Sequence, residues 1–269
     1  MSFDITNYRI PPGGEVDLNA RPSRDDGGLD KDDGKARFKE LRKRLVELQE
    51  LLYAEDRRSL LVVFQAMDAG GKDSTIRHVF GPVNPQGCRV ASFKTPSTLE
   101  RAHDFLWRIH AEAPKRGMIR VFNRSHYEDV LIARVKGFAP ESVWSRRYEH
   151  INNFEKLLAD EGTQVLKFYL HISKDYQRER LQRRLDRPDK HWKFNPDDLA
   201  ERERWDAYRV AFEDAIGRCA TNYAPWYVVP SERRWFRDLL VTQVIVDKLE
   251  SLDMRYPAPT FDPEEIEIP

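Results

Sequence analysis

Five short apolar, β-branched runs separated by stretches of helical periodicity leave this 269-residue chain few folds to adopt. The runs are 59–66, 89–93, 118–122, 165–172 and 226–229. Most lack the strict polar alternation of a half-exposed strand, so they read as strands buried on both faces, as in a parallel sheet. Their alternation with helices predicts an α/β fold, a mostly parallel five-stranded sheet flanked by helices. Over 36–54, Phe38, Leu41, Leu45, Leu48 and Leu52 alternate at three and four residues and mark one stripe of an amphipathic helix. Ser97-Thr98-Leu99-Glu100 and Ser125-His126-Tyr127-Glu128 both have the form of a capping box. Asn195-Pro196 predicts the start of one long helix carrying Trp205, Tyr208, Phe212, Ile216 and Cys219, and a further helix over 231–252 closes the domain. Residues 11–34 mix Pro, Gly, Asp and Arg without periodicity and read as an arm, mobile or draped over a neighbour. The expected organisation is an irregular arm over 1–34, a single domain over 35–256 and a tail over 257–269.

Composition removes several classes of function. Lys and Arg number 45 against 45 Asp and Glu, so no bulk charge draws the molecule to nucleic acid or to an anionic membrane. The longest apolar run, 60–64, is far below the roughly 20 residues that span a bilayer. The first residues do not resemble a signal peptide, and Cys88 and Cys219 are the only cysteines. A reduced, cytoplasmic setting is expected, without a disulfide framework or a structural zinc. The seven histidines show no ligand spacing.

Chemistry concentrates after the first strand, in Ala66-Met67-Asp68-Ala69-Gly70-Gly71-Lys72-Asp73-Ser74-Thr75. Strand, glycine turn, lysine and helix is the layout of a P-loop, in which backbone amides and a helix N-terminus wrap phosphate. The usual spacing would have glycine at Ala66 and a hydroxyl at Asp73. Acids inside a phosphate loop imply an intervening divalent cation, with Asp73 holding a metal-bound water in place of the missing hydroxyl. Phe122-Asn123-Arg124-Ser125 ends the third strand at the same sheet edge. There Arg124 suits a second phosphate, and Asn123 suits a phosphate or hydroxyl better than a metal. Lys94, after the second strand, adds a cation to that edge. Between 174 and 193 eight cations face four acids, and Arg180, Arg183, Arg184 and Arg187 share one helical face. Four stacked arginines repel one another unless a polyanion neutralises them, so this stretch reads as a lid, spanning about 174–209. Trp192 and Phe194 are expected to pack within it.

Taken together, 67–74, 122–131 and 183–194 resemble the polyphosphate kinase 2 family, with the likeness running from about Phe38 to Tyr256. The resemblance implies a P-loop kinase fold like that of thymidylate kinases, Mg2+ dependence with Mn2+ as an alternative, and phosphoryl transfer between inorganic polyphosphate and nucleotides. It places Asp68 and Lys72 at the reacting phosphates, with Asp68 as metal ligand, and Arg124 on the acceptor phosphate. It assigns Gly70, Gly71, Lys72, Asp73, Ser74, Thr75, Arg180, Arg183, Arg184, Lys190 and Lys193 to polyphosphate. Lys94, Asn123, Arg124, Glu128 and Arg134 go to the nucleotide. Many members carry Asp where this chain has Asn123, and the departure is similar to the subgroup acting on both nucleoside monophosphates and diphosphates. A homodimer or homotetramer is expected, with no membrane or nucleic-acid partner. Two rivals stand beside this reading: an ATP-dependent nucleotide or small-molecule kinase of the same fold, and a non-catalytic binder of polyphosphate or RNA.

Overall fold

The computed structural model describes residues 3–268. Its strands are β1 (Ser59–Gln65), β2 (Cys88–Ser92), β3 (Ile119–Asn123), β4 (Thr163–His171) and β5 (Trp226–Pro230). The helices are α1 (Lys31–Glu55), α2 (Lys72–Phe80), α3 (Thr98–Arg101), α4 (Trp107–His110), α5 (Ile132–Val135), α6 (Glu141–Asp160), α7 (Lys174–Leu185), α8 (Asp197–Glu203), α9 (Trp205–Cys219) and α10 (Arg234–Glu250). All strand pairs are parallel, in the order β2-β3-β1-β4-β5. The crossovers move to one side of β1 and then to the other, which opens a crevice at the carboxyl ends of β1 and β3.

Alternate residues of β1 feed two cores because strand side chains point to opposite faces. Leu60, Val62 and Phe64 pack with α1, α2 and α10. Leu61 and Val63 pack with α6 and α9. Leu45, Leu48 and Leu52 of the α1 stripe are buried, and Phe38 and Leu41 lie partly buried against the same core. The helix begins at Lys31, ahead of the periodic stretch, because Asp30 accepts the amides of Asp32 and Asp33 as an N-cap.

The arm is draped over its own domain. Phe3 and Tyr8 enter one core, Ile10 and Leu18 the other, and Arg9 forms an antiparallel bridge with Tyr227 of β5. Arm and lid root meet at Glu232, which accepts the Ser23 hydroxyl at 2.7 Å and the amide of Ser173, the cap of α7, at 3.0 Å.

Three local expectations differ from the structure. Ser97 and Glu100 form the capping box, but Ser125 caps only a short 3-10 turn while Glu128 turns to Arg124. The long helix breaks at Arg204, leaving α8 with no buried residue and α9 in the core. Trp192 does not pack: it is 77% exposed, and its indole N–H donates to the Asp189 carbonyl. No helix among the described residues is long and apolar enough to cross a membrane.

Candidate active site

The loop between β1 and α2 is shaped by what its residues lack. A Cβ on Gly70 would lie 2.7 Å from the Ala66 Cβ, so Ala66 can occupy the usual glycine position only because Gly70 has no side chain. Gly71 sits at φ +99°, and a Cβ there would meet the buried Arg237 guanidinium at 2.5 Å. Ala69 (φ 63°) and Arg124 (φ 62°) are left-handed without being glycine, a conformation costing roughly 1 kcal/mol or more per residue. The Arg124 amide is held there by the Phe64 carbonyl at 3.1 Å, which turns the side chain into the crevice.

Lys72 opens α2 and folds back over the loop, donating to the Ala66 carbonyl at 3.1 Å. Burial, then the Arg124 guanidinium, holds its ammonium below the ordinary lysine range. Arg124 pairs with Asp68 at 3.1 Å and with Glu128 at 3.4 Å. Glu128 first, with Asp68 adding to it, raises its pKa further against the opposing effect of burial. Asn123 donates to Asp73 at 2.7 Å, so the amide spends a donor on holding the loop acid.

Beneath this turn lies a buried polar cluster that the sequence reading missed. Lys167 of β4 is fully buried and paired with the equally buried Glu155, and it donates to the Tyr127 hydroxyl at 2.9 Å and the Cys219 carbonyl at 2.7 Å. Glu155 also accepts the Tyr127 hydroxyl at 2.9 Å, and His126 Nε2 lies 3.2 Å away. The cluster pins the segment that follows Arg124 and so fixes where that guanidinium starts from. Its one sequence signal is a lysine inside the apolar run Val165-Leu166-Lys167-Phe168.

Two cavities meet at Asp68 and Arg124. The larger, about 840 Å3, runs between the P-loop and the basic segment 180–198. Its walls carry eleven cations, Lys72, Arg77, Lys94, Arg124, Arg180, Arg183, Arg184, Arg187, Lys190, Lys193 and Arg234, against three acids, Asp68, Asp73 and Asp198. The cations crowd one another: burial, then Arg234, pulls the Arg180 pKa below its ordinary range. Arg184 is partly tied down by Asp198 at 3.2 Å. The smaller cavity, about 220 Å3, lies on the other side of the Asp68–Arg124 pair. Met67, Leu131, Ile132, Trp205, Tyr208 and Phe212 give it apolar and aromatic walls. Five acids, Asp68, Glu128, Asp197, Asp198 and Glu201, face only Arg124 and Lys136 there.

The structure gathers most residues singled out by the sequence. Gly70, Gly71, Lys72, Asp73, Ser74, Lys94, Asn123, Arg180, Arg183, Arg184, Lys190 and Lys193 line the larger groove, and Glu128 lines the smaller cavity. Thr75 does not join them: it is fully buried and its hydroxyl returns to the Gly71 carbonyl at 3.0 Å. The Ser74 hydroxyl makes the same return at 2.8 Å. Arg134 lines neither cavity, because Asp214 accepts from it at 2.6 Å and its guanidinium lies 4.4 Å from the Trp144 ring centre. Arg77 and Arg234 were not anticipated: Arg77 is a lone arginine on α2, and nothing local separates Arg234 from its neighbours Arg233 and Arg237.

Among the described residues no three His, Cys, Asp or Glu side chains converge as a metal cage. Phosphate-bound Mg2+ needs only one or two carboxylates and keeps water and phosphate oxygens for the rest. Asp68, its side chain 31% exposed and facing both cavities, has the chemistry and position of such a ligand.

The description "Polyphosphate kinase 2" belongs to the family model that matches residues 28–257. The chain belongs to the polyphosphate kinase 2 family. The crystal structure of polyphosphate kinase 2 from Arthrobacter aurescens TC1 superposes with a TM-score of 0.92 at 43% identity, over 95% of this chain and 92% of that one. The AMP/ADP-polyphosphate phosphotransferase of Meiothermus ruber is 52% identical over 98% of this chain and all of its own. The ADP-polyphosphate phosphotransferase of Rhodopseudomonas palustris is 44% identical over 97% of this chain and 94% of its own.

Proposed function

We propose that this polyphosphate kinase 2 is a phosphotransferase that moves phosphoryl groups from inorganic polyphosphate to AMP and ADP. The observation that carries the reading is the charge of the larger groove, eleven cations to three acids on a chain of zero formal charge. A nucleotide donor would use a few phosphate contacts and a base pocket; a row of cations suits a polymer that presents charge along its whole length. The aromatic and acidic walls of the smaller cavity suit a nucleoside, with Tyr208 and Phe212 against the base and carboxylates near ribose hydroxyls.

Phosphoryl transfer spreads charge over phosphoryl oxygens and asks the protein mainly for position and positive charge. Lys72 neutralises the terminal phosphates of the donor at the P-loop. Arg124 stands where the two cavities meet and orients the acceptor phosphate toward them. Asn123 donates to Asp73 and fixes where that loop acid stands in the groove. Magnesium, held by Asp68 and phosphate oxygens, would supply further charge neutralisation at the transferred group. The lid cations Arg180, Arg183, Arg184, Lys190 and Lys193 grip the rest of the chain, and their mutual repulsion is relieved when it binds.

The test is incubation with AMP, Mg2+ and polyphosphate in the absence of ATP, following nucleotides by chromatography. ADP and then ATP are expected. Formation of neither, or turnover only when ATP is the donor, would overturn the assignment.

A further inference from the structure

The two edges of the sheet are treated differently. The arm bridges β5 through Arg9, whereas β2 has a strand partner only on its β3 side among the described residues. The outer edge of β2 therefore presents unpaired backbone N–H and C=O groups, and its burial pattern shows a mostly open strand. Three concavities run in series along that edge. The phosphate groove includes Ser92, Phe93 and Lys94. A second hollow shares Ser92 and Phe93 and adds Arg108 and Arg120. A third, about 590 Å3, shares Arg120 and adds Arg89 and Lys115, with no carboxylate in its lining.

The cations at the far end are placed against their own repulsion. Arg89 and Arg120 are register partners on neighbouring parallel strands, which sets their Cα atoms about 4.8 Å apart, and like charges opposite each other are destabilising. Glu112 pairs with Arg120 through one terminal nitrogen, while the Arg120 Nε–H is buried without a partner. Burial, then Arg89, lowers the Arg120 pKa. The acids of the middle hollow are already engaged, Glu100 in the α3 capping box and Glu112 with Arg120. What remains for a ligand at the far end is the charge of Arg89 and Lys115 and the unpartnered Nε–H of Arg120.

We propose that the β2 edge is a second anchoring track for the polyphosphate donor, leading from Lys94 to a distal site formed by Arg89, Lys115 and Arg120. This rests on the donor reading above. At about 3.3 Å per residue, the five residues from Lys94 back to Arg89 span roughly 17 Å, so only a long chain held in the catalytic groove reaches the distal cations. Short oligophosphates end within the groove. The enzyme thus distinguishes donors by length through residues remote from the transferred phosphate.

The test is the double variant Arg89→Glu/Lys115→Glu, both positions exposed, assayed with long-chain polyphosphate and with the shortest oligophosphate the wild type turns over. KM for the long chain is expected to rise roughly tenfold, equivalent to about 1.4 kcal/mol. kcat and the KM for the short donor are expected to stay within twofold, and the difference to shrink with added salt. The short-donor activity of the same preparation reports that the variant is folded. Unchanged KM for both donors, an equal rise for both, or an altered subunit count would overturn the track while leaving the donor assignment standing. A wild type that uses no phosphate polymer of any length would overturn both.

Discussion

The two cavities that meet at Asp68 and Arg124 are opposites. One is wide, with eleven cations to three acids; the other is narrow and aromatic, with five acids to two cations. They share Asp68, Arg124, Asn195 and Asp198. On the proposed assignment, the contrast lets one crevice hold two anionic substrates without confusing them. A polymer of phosphate would be drawn to the basic side by charge summed along its length, while the acidic side would repel it and favour a ligand recognised by its rings and hydroxyls. Asp198 feels both environments: burial, then Asp68, raises its pKa, and Arg184 and Arg124 oppose that.

Variants on the boundary and on either side sharpen that contrast in descending order of effect. Lys72→Ala removes the cation at the P-loop itself, and kcat is expected to fall by about 10²–10³ with either nucleotide and any donor length. Near-normal turnover would remove Lys72 from the reacting phosphates. Arg124→Ala sits on the boundary, so it should lower kcat by roughly 10² and also raise the KM for AMP; steady-state kinetics with each substrate varied in turn separates the two effects. Tyr208→Ala acts on the narrow side alone. About a tenfold rise in KM for AMP is expected from lost stacking, with the polyphosphate KM unmoved, and movement of both would merge the two sites into one. Arg183→Ala, on the wide side, should raise the polyphosphate KM by roughly fivefold and leave AMP unchanged, because each charge contact on an exposed lid is worth only about 1 kcal/mol.

Much of this contrast could be read from residues whose spacing carries their meaning. The strands showed themselves as apolar runs, and the P-loop as strand, glycines and lysine, because those patterns are local. The basic wall of the groove was visible because Arg180, Arg183, Arg184 and Arg187 stack at helical spacing. What stayed hidden depends on partners distant in the chain. Arg234 reaches the groove only because α10 follows β5 at the same sheet edge. Tyr208 was placed on one long helix with Trp205 and Phe212; it borders the core, yet with the break at Arg204 it also lines a cavity. Arg134 was assigned to a nucleotide, while Asp214, eighty residues later, holds it elsewhere. Ser125 looked like a capping box because the pattern Ser-x-x-Glu cannot reveal that Arg124 competes for Glu128.

The division of the crevice is tested most directly by measuring both KM values across a series of salt concentrations. A ligand held by many phosphate contacts releases many counterions, and between about 50 and 200 mM salt its affinity falls by orders of magnitude. The KM for long-chain polyphosphate is expected to rise at least tenfold over that range while the KM for AMP changes by no more than about threefold. Parallel rises in the two, or a steeper rise for AMP, would contradict the assignment of donor to the basic side and acceptor to the acidic one.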